Sequence, residues 1–523
     1  MKNTLITLCA IVLIAFSLIT LLHRRSQENS DPLSNAADQG KQRITQFWTL
    51  YNQANANRTN GDFEAAVNGF RQCLKLNPTH ENSLYNLGTS LVELGDYQEA
   101  VKAFRQLIEV NPESNRGYSE LGNTLALIIP GAIVDISAAR AAYEQSVKIN
   151  REQAGPFLQL GKLEFNQGNT DAAMEQFRVA AGFQSPEGNF WAGFTLFSKG
   201  NSKEASDYFL KVLAIQQHEK AIASRGVHSE GDILPSPDKP MSALEKSSLK
   251  SLAFLYWTSV RLGGYPAATP KEFHLNKPVP PPLPFDVRIT TDAWQAREDR
   301  CLDPLRRAGH TPEGVVVDCV AEDVNGDSNP DLFLLRWRKD ALLYLNQGID
   351  KFSDATQSAG LSNIGGQSFS AVFFDYNRDH LPDLLVTAHA PFEEAIRSLL
   401  QPDYKSTGKS YNPRLFRNIG KGQFAEVTTQ VGLNHSYGTM RGIAEDFDDD
   451  GWLDLLFVNG GLDRLRLEPS VVLRNLQGKE FREAGYLPSF NQPDNFIDAT
   501  VERPGPNGKL VVKLVRNTHR IVN

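Results

Sequence analysis

Cysteine, positive charge and the signatures of catalysis are what this chain has least of. Four cysteines among 523 residues are too few for a disulfide scaffold. Cys9 lies in an apolar run and Cys73 falls on a helical core position. Cys301 and Cys319, 18 residues apart, either pair in an oxidising compartment or stay free. A formal charge of -7 with no lysine or arginine stripe argues against nucleic acid as the main partner. His-Glu-x-x-His, Gly-x-Ser-x-Gly, a Walker phosphate loop and a dinucleotide fingerprint are all absent. His310, His380, His389 and His435 are scattered along the chain.

One stretch, Thr4 to Leu22, is almost wholly apolar, with Lys2 before it and His23-Arg24-Arg25 after it. At about 1.5 Å per residue it nearly spans a bilayer core of roughly 30 Å. Ser17-Leu18-Ile19-Thr20 is a poor cleavage site. Residues 1–25 therefore read as an uncleaved transmembrane anchor in preference to a signal segment, and residues 26–44 as a polar spacer. The flanking charges balance and do not orient the anchor.

A repeat of helical character follows. Pro78 and Pro112 are 34 residues apart, and Leu84, Leu87, Gly88, Leu91, Gly95, Tyr97, Ala100 and Phe104 precede the second. Gly61, Ala66 and Phe70 hold the matching places before Pro78. Gly122 with Tyr143, Gly161 with Phe177, and Gly193 with Phe209 continue the series, the first of these lengthened by extra residues around Ile128 to Gly131. The pattern resembles the tetratricopeptide repeat (TPR), which implies an all-α solenoid of about five helix–turn–helix units over residues 45–217. Its concave face would carry Asn82, Tyr85, Thr89, Arg116, Asn123 and Lys162, a set suited to an extended protein or peptide ligand.

Residues 218–285 read as a capping helix, Ser242 to Leu262, and a proline-rich linker containing Pro266, Pro270, Pro278, Pro280, Pro281, Pro282 and Pro284. Such a run acts as a semi-rigid spacer. Beyond it the periodicity is that of short strands, and three acidic loops stand between strand pairs. They place Asp323, Asn325, Asp327 and Asp331, then Asp375, Asn377, Asp379 and Asp383, then Asp446, Asp448, Asp450 and Asp454 at loop positions 1, 3, 5 and 9. An EF-hand needs a glutamate at position 12 and flanking helices; Leu334, Val386 and Phe457 stand there instead. Each loop is followed by a second signature, Leu-Tyr-Leu-Asn346, Leu-Phe-Arg-Asn418 or Val-Leu-Arg-Asn475, and then by Phe352, Phe424 or Phe481.

This pairing resembles the FG-GAP or VCBS propeller repeats, and most nearly the cartilage acidic protein-like group. The resemblance implies an all-β propeller over residues 286–523, with Ca²⁺ held by those twelve side chains and a role in adhesion or interaction without catalysis. Position 6 departs from the family's glycine at Ser328 and His380, and Arg378 puts a cation in the second loop. The loops are therefore expected to bind in the order third, first, second. About 240 residues hold about four blades, and the last residues, Thr518 to Asn523, offer no evident closing strand. The sequence is then a fragment, or a partner completes the ring, or some blades are too degenerate to see.

The whole reads as a multidomain, membrane-anchored interaction protein, not an enzyme, with its bulk outside the cytoplasm, where Ca²⁺ is abundant. The alternative is an extracytoplasmic hydrolase working from the propeller's central pocket.

Overall fold

The computed structural model describes residues 20, 32–223, 241–275, 283, 285–290, 299–401, 411–462, 464–487, 494–503 and 510–517. The apolar run from Thr4 and most of the prolines of the linker lie outside them. Among the described residues no helix is long and apolar enough to cross a membrane. The chain divides into two compact units, residues 1–120 and 121–523.

The first unit contains α1 (Pro32–Thr59), α2 (Phe63–Leu76), α3 (Glu81–Leu94) and α4 (Tyr97–Val110); α5 (Asn115–Leu125) begins there. Turn chemistry sets the hairpins. Gly61 and Gly95 take φ values of +81° and +80°, a left-handed bend that glycine makes without strain. Asp62 and Asp96 then cap α2 and α4 by accepting the N–H of Ala65 and Glu99. Gly88 lets the Phe104 ring lie flat on α3, since a Cβ there would stand 2.5 Å from that ring.

The second unit repeats the device. Gly122 faces Tyr143, Gly161 faces Phe177 and Gly193 faces Phe209, with an added Cβ at 2.5, 2.5 and 2.6 Å from the ring. The helices are α6 (Ile136–Ile149), α7 (Ala154–Asn166), α8 (Thr170–Gly182), α9 (Pro186–Ser198) and α10 (Ser202–Ala223). The expected cap is α11 (Ala243–Leu262), started by a reciprocal capping box between Ser242 and Glu245. Its residues from Ser247 to Ser259 are all buried, more than a cap exposed on one side would show.

The reason is a second partner. Helix α13 (Phe392–Leu400), inserted in the strand region after the short α12 (Asp299–Arg307), packs Ile396, Leu399 and Leu400 into the same apolar cluster as Phe190, Phe194, Phe254 and Trp257. Lys250 on α11 bonds Glu393 on α13 at 2.8 Å, with both side chains largely buried. The helices before the linker and the helix inserted in the strand region thus share one core.

The strands form four sheets around a ring. The first blade is β2 (Val316–Glu322), β3 (Asp331–Arg336), β4 (Lys339–Asn346) and β5 (Phe352–Asp354). The second is β6 (Ala371–Phe374), β7 (Asp383–Val386), β8 (Arg414–Asn418) and β9 (Phe424–Glu426). The third is β10 (Thr439–Glu445), β11 (Asp454–Asn459), β12 (Ser470–Asn475) and β13 (Phe481–Leu487). The fourth blade holds β14 (Phe496–Glu502), β15 (Val511–Arg516) and β1 (Asp286–Thr290), with β1 parallel to β15 from Asp286↔Val511 to Thr290↔Val515.

This corrects the expectation of a ring without a closing strand. The closing strand precedes the first blade, so its mark is absent from the last residues. Pairing with β1 also covers an edge of β15 that would otherwise be open to other chains.

Candidate functional site

Each acidic loop is first a backbone device. Position 1 accepts the N–H groups of positions 5 and 6: Asp323 those of Asp327 and Ser328, Asp375 those of Asp379 and His380, Asp446 those of Asp450 and Gly451, all within 2.7–3.2 Å. Position 5 accepts the N–H of position 7 at 2.8, 3.0 and 2.8 Å. Positions 4 and 6 are left-handed in every loop: Gly326 and Ser328, Arg378 and His380, Asp449 and Gly451, with φ between +61° and +86°. Ser328 and His380 therefore take the shape that glycine would, at a cost of about 1–2 kcal/mol each.

Position 9 is buried. Asp331, Asp383 and Asp454 are at most 1% exposed. Each accepts two backbone N–H groups, one from loop position 2 and one from the asparagine of the second signature. The pairs are Val324 and Asn346, Tyr376 and Asn418, and Phe447 and Asn475, at 2.7–3.2 Å. Burial pushes the Asp383 carboxyl up to about 7 and those of Asp331 and Asp454 up to about 6. The accepted N–H groups oppose that rise, while neighbouring loop aspartates add to it.

The asparagines explain why the two signatures occur together. Asn418 donates to Val324 O at 2.9 Å, reaching the acidic loop of the preceding blade. Asn475 likewise donates to Tyr376 O at 2.9 Å. Aspartate ties loop to strand within a blade and asparagine ties blade to blade. In the sequence these asparagines read only as hairpin residues; their fixed place after each loop is the signal that marks them.

In the second loop the carboxylate oxygens of Asp375, Asp379 and Asp383 lie within 4.8 Å of one another, and in the third those of Asp446, Asp448 and Asp454 do. Hard oxygen donors at this spacing suit a Ca²⁺ ion. No such carboxylate group forms in the first loop among the described residues. Asp450 stands outside the third group, and Asn325 and Asn377 donate to Asp327 and Asp379 at 3.1 and 2.8 Å. Arg378 turns away from its own loop to bond Gly451 O and lie 4.3 Å over the Trp452 ring. Arg474 pairs with Asp448, so a cation in the third loop would have to displace it. The second and third loops are thus the better built, and the expected lead of the third is not evident in the geometry.

One guanidinium links the blades. Arg441 on β10 lies 3.5 Å from Asp318 on β2 and 3.7 Å from Asp498 on β14, and it donates to Ser370, just before β6, at 3.4 Å. All four blades meet at this guanidinium. Beside Asp318 in sequence, β2 carries Cys319, which is disulfide-bonded; the Cys301 side chain is outside the described residues. Cys73 is buried and free.

His389 is enclosed between blades and donates from Nε2 to Gly460 O at 3.0 Å. Burial, and then the charge of Arg466, lower its pKa to about 3. The unfolded chain takes up this proton near pH 6.5, so stability is complete above that pH and declines below it, by about 1.4 kcal/mol per pH unit. His389→Gln, which keeps a donor for Gly460, is expected to flatten this slope between pH 6.5 and 4.5 in urea unfolding. An unchanged slope would refute it.

On the concave side of the first unit, Arg116 bonds Asn82 at 2.6 Å and covers the Tyr85 ring at 4.8 Å. Asn86 bridges to Asn55 and Tyr51 at 3.1 and 3.4 Å. In the second unit Asn123 accepts from Tyr143 at 2.9 Å, and Lys162 bonds Glu187 at 2.6 Å. Of the predicted groove residues, Asn82, Tyr85 and Arg116 come together.

The family model of the tetratricopeptide repeat matches residues 45–113, and that of the FG-GAP-like repeat matches residues 323–386 and 401–457. The chain carries TPR and FG-GAP-like repeats. Among solved structures it is similar to MamA of Desulfovibrio magneticus RS-1, at 20% identity over 33% of this chain and 96% of that one, with a TM-score of 0.29. A TPR protein of Thermus thermophilus gives 22%, 34%, 95% and 0.29 on the same measures. YrrB, a TPR protein with an unusual peptide-binding site, gives 22%, 34%, 91% and 0.26. No curated protein matches. The TPR part is the helical region and the FG-GAP part the four-bladed propeller.

Proposed function

We propose that this chain is a non-catalytic interaction protein with a peptide-binding TPR solenoid and a Ca²⁺-stabilised FG-GAP propeller. The observation that carries the reading is the joint build of the molecule. Its loops and blades are tied by buried hydrogen bonds, its four blades meet at Arg441, and polar and aromatic groups gather on the helices of the first unit. Within the FG-GAP proteins, the paired signature is the feature that favours the cartilage acidic protein-like group. Ca²⁺ would be held by Asp375, Asp379 and Asp383 and by Asp446, Asp448 and Asp454, screening carboxylates that otherwise repel. We place the bulk of the chain outside the cytoplasm, anchored by residues 4–22. The disulfide-bonded Cys319 supports an oxidising compartment.

The test is affinity capture with the full chain and with Tyr85→Ala/Arg116→Ala. Proteins retained by the wild type are expected to be lost by the variant, whose far-UV spectrum stays helical. An identical captured set would contradict the proposal.

A further inference from the structure

The concave face of the second unit is occupied by the chain itself. Between β11 and β12 the propeller sends out Arg464-Leu465-Arg466-Leu467. Leu465 and Leu467 pack against the apolar cluster built by α7 to α11 and α13. The Arg464 N–H donates to the Asn166 side chain of α7 at 2.9 Å, and its guanidinium lies 5.8 Å from the Phe165 ring. Arg466 turns the other way, to Glu468 and to Ala390 O at 2.7 Å. Leu465 lies beside α7, Arg466 faces the propeller, and a backbone donor meets an asparagine, as a bound peptide would.

An open cleft of about 250 Å³ runs beside Leu465, lined by Asn123, Gln159, Lys162 and Asn166, so part of the groove stays uncovered. The segment is also not what holds the two parts together, since α13 docks on α11 through Ile396, Leu399, Leu400 and the Lys250–Glu393 pair. Withdrawal of Arg464 and Leu465 from α7 would not separate them and would leave the buried pair of Arg466 with Glu468 in place.

We propose that Arg464–Leu467 is an internal ligand of the TPR groove, holding in cis the site that an extended peptide with Leu-x-Leu spacing takes in trans. This rests on the reading of the solenoid as a peptide binder, and it names the peptide class. Leucines at alternate positions fill the apolar floor, and a free backbone N–H serves Asn166.

The probe is a fluorescein-labelled peptide of residues 464–470, followed by anisotropy against the full chain and against Leu465→Ser/Leu467→Ser. A site that is mostly occupied in cis binds weakly in trans, so the variant is expected to bind at least about tenfold more tightly than the wild type. Asn166→Ala in the variant background should weaken binding by about fivefold, the worth of one hydrogen bond, and Arg116→Ala should leave it unchanged. If the serine variant is unfolded by circular dichroism, Leu465→Ala replaces it in the same comparison. Equal binding to wild type and folded variant, or no binding to the variant, overturns the internal ligand. Binding that falls with Arg116→Ala but not with Asn166→Ala also overturns it, while keeping a peptide site on the first unit.

Discussion

Arg466→Met is expected to lower the unfolding free energy by about 3–5 kcal/mol, because it strands a buried carboxylate. The Arg466 and Glu468 side chains are 7% and 4% exposed. Burial raises the Glu468 carboxyl, and the charge and hydrogen bond of Arg466 hold it back, with the Gly438 N–H also donating to it. Gly438 has no room for a Cβ, because the Arg466 guanidinium and the Glu468 carboxylate fill that space. Arg466 also supports the insertion through Ala390 O. Removing both charges with Arg466→Met/Glu468→Leu should recover most of the loss, since apolar replacement of a whole buried pair is often neutral. Urea unfolding of the three chains decides it. A single-variant loss under about 1 kcal/mol would mean that water reaches this pair.

Asp383→Ala is expected to cost about 2–5 kcal/mol even in EDTA. It leaves the Tyr376 and Asn418 N–H groups, now bonded at 3.2 and 2.8 Å, buried without acceptors at about 1–3 kcal/mol each. Asp379→Ala, at an exposed loop position, should cost less than about 1 kcal/mol under the same conditions. The contrast separates two roles that the sequence merges. Position 9 holds the blade together whether or not a cation is present, while position 5 shapes only the exposed turn, where water can replace its bond to Leu381. Equal losses for the two variants in EDTA would refute that division.

The repeats are plain in the sequence because each rests on a local rule. A glycine must stand beneath an aromatic ring, and an aspartate must cap the next helix, so Gly88 with Phe104 and Asp96 with Glu99 recur at fixed spacing. The acidic loops are legible for the same reason. What is not legible depends on contacts far apart in sequence. The parallel pairing of Asp286 with Val511 leaves no pattern that the last residues could show. Asn418 looks like an ordinary hairpin residue until its partner at Val324 is known. The docking of Ile396 on the helices, and of Leu465 in their groove, gives only short apolar runs that resemble any surface insertion. Burial of Lys250 and Glu393 is equally hidden, since each alone reads as a solvated charge.

Calorimetric titration of the full chain, in detergent, with Ca²⁺ tests the proposed role of the acidic loops most directly. Saturable uptake is expected at about 10⁻⁴ to 10⁻³ M, the range of weak extracellular modules, with a thermal midpoint that rises with Ca²⁺. Asp375→Ala/Asp446→Ala should abolish both effects. Absence of Ca²⁺ uptake by the wild type, together with a midpoint that is the same in EDTA and in Ca²⁺, would contradict it.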